Sequence, residues 1–262
     1  MKEIRPIKRF GQNYLVDKNI IRKLVDVFDP KDEENIVEIG PGHGSITEEL
    51  FCRTGNVTAV EIDKRINEEL KDKFPELILI NKDFLKIELT ELIPNKNSRI
   101  RLIGNIPFNI TSQIIFKLIE NRRLINDAVF IVQHEVAKRI TAGRGSKDYG
   151  ILSVVLNYLT DTKFIFKISP GVFRPKPKVN SAVIHIKFKD KIDDNIDEKL
   201  FIRLVKASFG NRRKTLKNSL SNSIFSDCDF DNSDFDLTRR AEELSTGEFL
   251  ELTKFLSAHG YG

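Results

Sequence analysis

Short apolar runs alternate with amphipathic, Glu- and Lys-rich stretches along most of the chain. Residues 35–39 (NIVEI), 57–62 (VTAVEI), 77–81 (LILIN), 100–103 (IRLI) and 127–132 (DAVFIV) are rich in Val and Ile and short enough for strands. Segments such as 65–73 and 112–121 carry helical spacing between them. Strands alternating with helices predict a mainly parallel sheet covered by helices. Residues 163–168 (KFIFKI) and 182–188 (AVIHIKF) add two more strands, and the Pro-rich stretch 169–179 joins them. Its prolines fall outside any helix or central strand. After Asp190 the pattern changes. The charged stretch KDKIDDNIDEK reads as a linker, and apolar residues then recur at three- and four-residue spacing over 200–208, 216–224 and 246–256. The expected organisation is an α/β domain over 1–189 and a small all-helical domain over 190–262.

Composition narrows the class. With 262 residues, 40% hydrophobic and 31% charged, the chain can bury a core without disulfides. No apolar run reaches the roughly 18 residues of a membrane span, and the basic start lacks the apolar stretch of a secretory signal. Cys52 and Cys228 are the only cysteines and form no metal-ligand spacing, so a reduced, cytoplasmic chain is expected, with no membrane partner and no metal. The net charge of +5 is modest, but its distribution is not. Seven Lys or Arg and no acid lie between Thr162 and Lys189, and seven more between Lys199 and Ser226. The acids gather instead at 190–198 and 227–236. Such segregation favours an extended anionic partner, nucleic acid first; the alternative is a solvated basic face.

The strongest local signal is Val37-Glu38-Ile39-Gly40-Pro41-Gly42-His43-Gly44-Ser45-Ile46-Thr47-Glu48. A strand runs into three glycines and then a helix, with Ser45 and Glu48 spaced as a capping box. Glycine lets backbone approach a ligand closely. Glu61 follows the next strand, where an acid in nucleotide-binding α/β folds accepts hydrogen bonds from ribose hydroxyls. The sixth position of a dinucleotide fingerprint is Ser45 rather than glycine, and no Gly-Lys-Ser/Thr follows, which excludes a phosphate-cradling loop. The spacing instead resembles the first motif of S-adenosylmethionine-dependent methyltransferases. Asp83, after the third strand, is placed to accept a hydrogen bond from an adenine amine.

Gly104-Asn105-Ile106-Pro107-Phe108 follows the fourth strand. Ligands in open α/β sheets sit at the carboxyl ends of the strands, so Gly40, Glu61, Asp83 and Asn105 should share one crevice. The string resembles the fourth motif of amino-methyltransferases. An exocyclic amine is a poor nucleophile because its lone pair is delocalised into the ring. Two acceptors, the Asn105 side-chain oxygen and the Ile106 carbonyl, would localise that pair. Pro107 fixes the chain direction, and Phe108 would stack on the base for roughly 1–3 kcal/mol. Phe173 is the candidate for a second ring on the opposite face.

Beyond these motifs, Phe10-Gly11-Gln12-Asn13-Tyr14-Leu15, Gln133-His134-Glu135-Val136-Ala137-Lys138-Arg139 and residues 173–183 resemble the ribosomal RNA adenine dimethyltransferases nearly end to end. Residues 142–154, 209–220 and Arg240-Ala241-Glu242 look like the small-subunit (KsgA-type) branch rather than the Erm methylases of large-subunit RNA. The resemblance implies a Rossmann-like class I methyltransferase fold, with a seven-stranded mainly parallel sheet and a helical C-terminal domain. It implies dimethylation of the exocyclic amines of two adjacent adenosines in a hairpin loop near the 3′ end of small-subunit rRNA, within an immature small ribosomal subunit. S-adenosyl-L-methionine would be the donor and the chain a monomer. The family's cofactor residues map onto Asn13, Leu15, Gly40, Glu61, Asp83 and Asn105. Arg212, Arg213 and Lys214 would contact RNA backbone. Most members of the small-subunit branch carry Tyr where this chain has Phe108, so stacking is expected here without a phenolic hydroxyl. Two other readings stay open, an Erm-type large-subunit methylase and a non-catalytic RNA-binding assembly factor.

Overall fold

A computed structural model describes residues 11–93, 98–230 and 235–261. Phe10 of the opening motif and residues 231–234 of the acidic run lie outside the described residues. No helix among them is long and apolar enough to cross a membrane. The chain packs into two compact units, Met1–Ala137 with Lys163–Phe188, and Lys138–Thr162 with Lys189–Gly262.

The first unit is built on a sheet. A short strand β1 (Tyr14–Leu15) precedes β2 (Asn35–Ile39), β3 (Val57–Val60), β4 (Ile78–Ile80), β5 (Ile100–Asn105), β6 (Ile125–Gln133), β7 (Thr160–Ile168), β8 (Phe173–Arg174) and β9 (Ser181–Phe188). Seven of these form one sheet in the order β4-β3-β2-β5-β6-β9-β7. The first five run parallel, and β9 returns antiparallel to β6. Strands covered on both faces need apolar residues at successive positions, and β2, β5 and β6 are buried almost throughout. The sheet is legible in the sequence for that reason.

Helix α1 (Lys18–Phe28) buries Ile21, Leu24, Val25 and Phe28, the three- and four-residue spacing of one helical face. Its start is capped by Asp17, whose carboxylate accepts from the N–H groups of Asn19 (2.9 Å) and Ile20 (3.1 Å). Helix α2 (Ser45–Phe51) departs from expectation: its N-cap is Gly44, in the left-handed region at φ 79°, with no side-chain cap bond. Ser45 is already inside the helix, so the expected capping box does not form, and Glu48 pairs with Lys73 instead (3.1 Å). Helices α3 (Asn67–Lys73) and α4 (Thr111–Glu120) complete this unit's α/β alternation. Helix α5 (His134–Ile140) runs from one unit into the other.

The second unit is helical, with α6 (Ile151–Leu159), α7 (Glu198–Ser208), α8 (Leu216–Leu220) and α9 (Thr246–Ala258). Asp197 caps α7, and Ser245 with Glu248 forms a capping box on α9. The segment Lys138–Thr162, expected with the first domain, packs here. Gly145 N–H donates to the Glu242 carbonyl (2.9 Å), Arg144 pairs with Glu248 (3.2 Å), and the Tyr149 ring meets Phe209 edge-on at 6.1 Å. The helix predicted over 216–224 stops at Leu220, and Ile224 stands exposed.

Candidate active site

The carboxyl ends of β2, β3, β4 and β5 open into a cleft with about 990 Å³ of empty space, its open mouth included. Asn13, Gly40, Glu61, Asp83, Asn105, Ile106, Pro107 and Phe108 all line it. Leu15 lines a smaller hollow that shares Tyr14, Gly40 and Asn105 with the cleft.

The loop glycines hold left-handed backbone that favours glycine. Gly40 has φ 68°, and a Cβ there would meet nothing within 4 Å, so its missing side chain leaves open space at the cleft wall. Gly42 has φ 55°, and a Cβ would come 2.7 Å from Cδ1 of Tyr14, whose ring packs on the loop. Gly42→Ala should therefore weaken cofactor binding at least about tenfold and lower the melting temperature. The left-handed backbone alone costs about 1–2 kcal/mol for an L side chain, and the Tyr14 contact adds to it. Titration calorimetry and a thermal melt check both effects.

Glu38, fully buried on β2, accepts from the Thr47 hydroxyl (2.6 Å) and so ties α2 to the strand. Burial pushes its carboxyl up to about 8, with the nearby Glu61 charge adding to the rise. Glu61 is 5% exposed. Its Oε1 accepts from the Asp63 N–H (2.8 Å) and its Oε2 from the Gly42 N–H (3.3 Å). Burial raises its pKa, and these two N–H groups pull it back. A carboxylate has about four lone-pair sites, so two backbone bonds orient Glu61 and leave capacity for two ribose hydroxyls. Asp83 caps a short turn through the Leu85 N–H (3.0 Å).

Asn105 ends β5. Its Nδ2 donates to the backbone carbonyl of Asn13 at 2.6 Å. A carbonyl only accepts, so this bond fixes which way the carboxamide faces: nitrogen toward residue 13, oxygen left without a bond among the described residues. Gly104 makes the approach possible. A Cβ there would lie 2.5 Å from the Ile39 carbonyl oxygen, so only glycine lets β5 end this close to the loop after β2. Ile106 is buried, and the Pro107 carbonyl accepts from the Ile110 N–H (3.2 Å) and the Thr111 hydroxyl (3.2 Å), which pins the turn. Phe108 is half-buried on the cleft wall.

One expectation is corrected. Phe173, the candidate second ring, is 0% exposed, pairs with Leu15 across β1 and β8, and belongs to the hydrophobic core with Ile168. It is not among the cleft-lining residues; an apolar ring opposite Leu15 gains more from the core than from an open wall. Arg212, expected on RNA phosphate, is exposed, yet one guanidinium nitrogen donates to the Lys147 carbonyl (2.8 Å), the Tyr149 carbonyl (3.0 Å) and Glu242 (3.1 Å). It holds the 147–149 segment. Arg213 and Lys214 are exposed.

Sequence reasoning missed several cleft residues. Gln12 donates to Asp63 (3.1 Å), which Arg65 also holds (2.6 Å). The Arg65 bond chiefly keeps the Asp63 carboxyl at about 2. Ile62, Phe84 and Leu85 give the cleft its apolar wall, and Ile62 is 43% exposed. An Ile left in the open at a strand's carboxyl end is a signal that could have been read. Lys117 on α4 donates to the Leu85 (3.1 Å) and Ile87 (2.5 Å) carbonyls, a link no local pattern announces.

Comparison with known proteins agrees with this geometry. The family model described as ribosomal RNA adenine dimethylase matches residues 5–258. A curated relative from Chlorobium phaeobacteroides (strain BS1), ribosomal RNA small subunit methyltransferase A, is 44% identical over 97% of this chain and 95% of its own. The protein of that name from Francisella tularensis subsp. tularensis is 43% identical over 95% of this chain and 97% of its own. Among solved structures, a dimethyladenosine transferase from Plasmodium falciparum superposes with a TM-score of 0.79 at 23% identity, over 94% of this chain and 98% of that one. The 23S rRNA methyltransferase ErmE superposes with a TM-score of 0.70 at 25% identity, over 94% and 100%. The chain belongs to the ribosomal RNA adenine dimethylase family.

Proposed function

We propose that the protein dimethylates the exocyclic amines of two adjacent adenosines in a hairpin loop near the 3′ end of small-subunit rRNA, with S-adenosyl-L-methionine as donor, during maturation of the small ribosomal subunit. The sheet-bearing unit carries the chemistry and the helical unit contacts RNA. The observation that carries the reading is the Asn105 to Asn13 hydrogen bond, because it leaves a carboxamide oxygen for the amine.

The cleft suits the cofactor. Gly40 leaves space where any side chain would intrude, and Glu61 keeps acceptor capacity beside it. Asn13, Gly40, Glu61, Asp83 and Asn105 would hold S-adenosyl-L-methionine, with Leu15 in the adjoining hollow. When bound, it supplies an electrophilic methyl group on a sulfonium. Asn105 Oδ1 and the Ile106 carbonyl accept the two amine hydrogens and localise the nitrogen lone pair. Pro107 and Gly104 hold those two oxygens in place. Phe108 stacks on the base. No strong general base is required, because a methylated, positively charged amine loses its proton readily. The residues therefore act through positioning and electrostatics.

The deciding experiment is transfer of labelled methyl groups to undermethylated small and large ribosomal subunits. Label in small-subunit rRNA supports the reading, and label only in large-subunit RNA rejects it in favour of the Erm-type activity. Binding of S-adenosyl-L-methionine without transfer to either subunit would favour the assembly-factor reading. With the same substrate, Phe108→Ala should lower kcat/KM by about 10- to 100-fold, the value of one base–aromatic stack. Phe108→Tyr should keep most of the activity. Equal loss in both variants would remove stacking from the role of residue 108.

A further inference from the structure

Beyond the cleft, one patch of the first unit combines features the proposed chemistry does not use. Phe164 on β7 is 38% exposed and Val179 is 45% exposed. The Phe164 ring meets His134 edge-on, with centroids 5.9 Å apart. His134 directly follows β6, and its N–H donates to the Asn180 carbonyl (2.9 Å), which brings the 179–180 segment to the same place. Register locates the patch. Asn105 pairs with Ile131, and Gln133 pairs with Ser181. His134, Val179 and Phe164 therefore lie at the sheet edge that carries Asn105, one to three strands away at about 4.8 Å per strand.

The segments that form the patch are mostly cationic, with Glu135 next to His134 an exposed acid. Lys163, Lys167, Arg174, Lys176 and Lys178 are all exposed, and no acid lies between Thr162 and Lys189. The Arg174 guanidinium donates to the Gly171 (3.1 Å) and Phe173 (2.9 Å) carbonyls. The four lysines make no side-chain bond among the described residues. An apolar aromatic set in such charge would repel a second copy of the same surface. It suits a polyanion whose units carry flat apolar faces. Single-stranded nucleic acid has that chemistry, with phosphates for the lysines and bases for the ring.

We propose that Phe164, with His134 and Val179 beside it, is a second stacking platform, which holds a nucleotide flanking the target adenosine while Lys176 and Lys178 engage that strand's phosphates. The platform deepens the rRNA reading and rests on it. It keeps the flanking base unstacked from the target, so that the target base can enter the cleft.

The test uses the full chain and a fluorescein-labelled RNA hairpin with two adjacent adenosines in its loop, followed by anisotropy across a salt series. Phe164→Ala should raise the Kd for the hairpin about tenfold, and Phe164→Tyr should restore it. The affinity for S-adenosyl-L-methionine and the melting temperature should stay at wild-type values, since the ring is already exposed. Lys176→Gln combined with Lys178→Gln should flatten the slope of log K against log salt by about 1.4, two single-strand contacts at roughly 0.7 each. A wild-type protein that binds the cofactor but not the hairpin overturns the RNA reading and the platform together. A wild-type protein that binds the hairpin, with Phe164→Ala binding it equally well, overturns the platform alone.

Discussion

Asn105→Ala is expected to lower methyl transfer by about two to three orders of magnitude while the protein stays folded and keeps part of its cofactor affinity. Removing one preorganised hydrogen-bonding group from a transition state costs on that scale. Here the group is an acceptor rather than a donor, and its partner is the hydrogen of an amine whose lone pair must be freed. The side chain is already oriented by its 2.6 Å bond to the Asn13 carbonyl, so no reorganisation precedes the reaction. Asn105→Asp keeps an acceptor oxygen but cannot donate to residue 13 when ionised, so it should also lose rate, through misplacement and repulsion. Single-turnover transfer on undermethylated small subunits, with calorimetry for S-adenosyl-L-methionine, separates the chemical step from binding. Wild-type turnover in Asn105→Ala would remove the carboxamide from the mechanism.

The largest expected effect on stability lies far from the cleft. Arg101 on β5 holds Asp127 on β6 through two bonds, Nε to Oδ1 at 2.7 Å and a terminal nitrogen to Oδ2 at 2.9 Å. It also donates to Glu34 (2.6 Å) and to the carbonyls of Phe28 (2.6 Å) and Asp29 (3.1 Å), and its guanidinium lies 4.4 Å from the Phe28 ring centroid. His185 on β9 meets Asp127 at 2.7 Å. The Arg101 and Asp127 side chains are only 12% and 8% exposed. Removing one partner of a buried pair leaves the other charge uncompensated, at about 3–5 kcal/mol. Glu34 softens the loss, so Asp127→Ala should cost about 3 kcal/mol and lower the melting temperature by about 6–12 °C.

The pH dependence has a definite sign. Burial alone would raise the Asp127 pKa, but the bonds from Arg101 and His185 hold it below the ordinary value of 3.8. A depressed carboxyl contributes its stability in full above the unfolded pKa and loses it as pH falls through the folded one. Melting curves of wild type and Asp127→Ala should therefore differ most near neutrality and converge in acid. A gap that persists undiminished to pH 3 would assign the effect to packing rather than charge.

Much of the first unit was legible because the physics that builds it is local and repetitive. Strands buried on both faces must be apolar at successive positions, and β2, β5 and β6 are. The cleft was legible because ligand-facing glycines and the Asn105 string follow strand ends, which topology gathers at one edge. Contacts that cross the chain were not legible. Nothing near residue 12 announces Asp63, and nothing near Arg212 announces the carbonyls of Lys147 and Tyr149. The same blindness misplaced 138–162, whose partners lie some sixty to a hundred residues away in sequence. Phe173 was misjudged for a related reason: a motif identifies an aromatic but does not say whether its ring faces a ligand or the core.

The partner that aims the Asn105 carboxamide belongs to the main chain. Substitution at residue 13 changes a side chain and leaves its carbonyl in the polypeptide, so variation in the gene has no direct grip on that oxygen. What variation can reach is whatever keeps the strand on its path, and that is the two-residue pairing of Tyr14 with Arg174 and Leu15 with Phe173. On the proposed mechanism, a ring sealed in the interior would bear on catalysis by steadying the ribbon from which the carbonyl hangs.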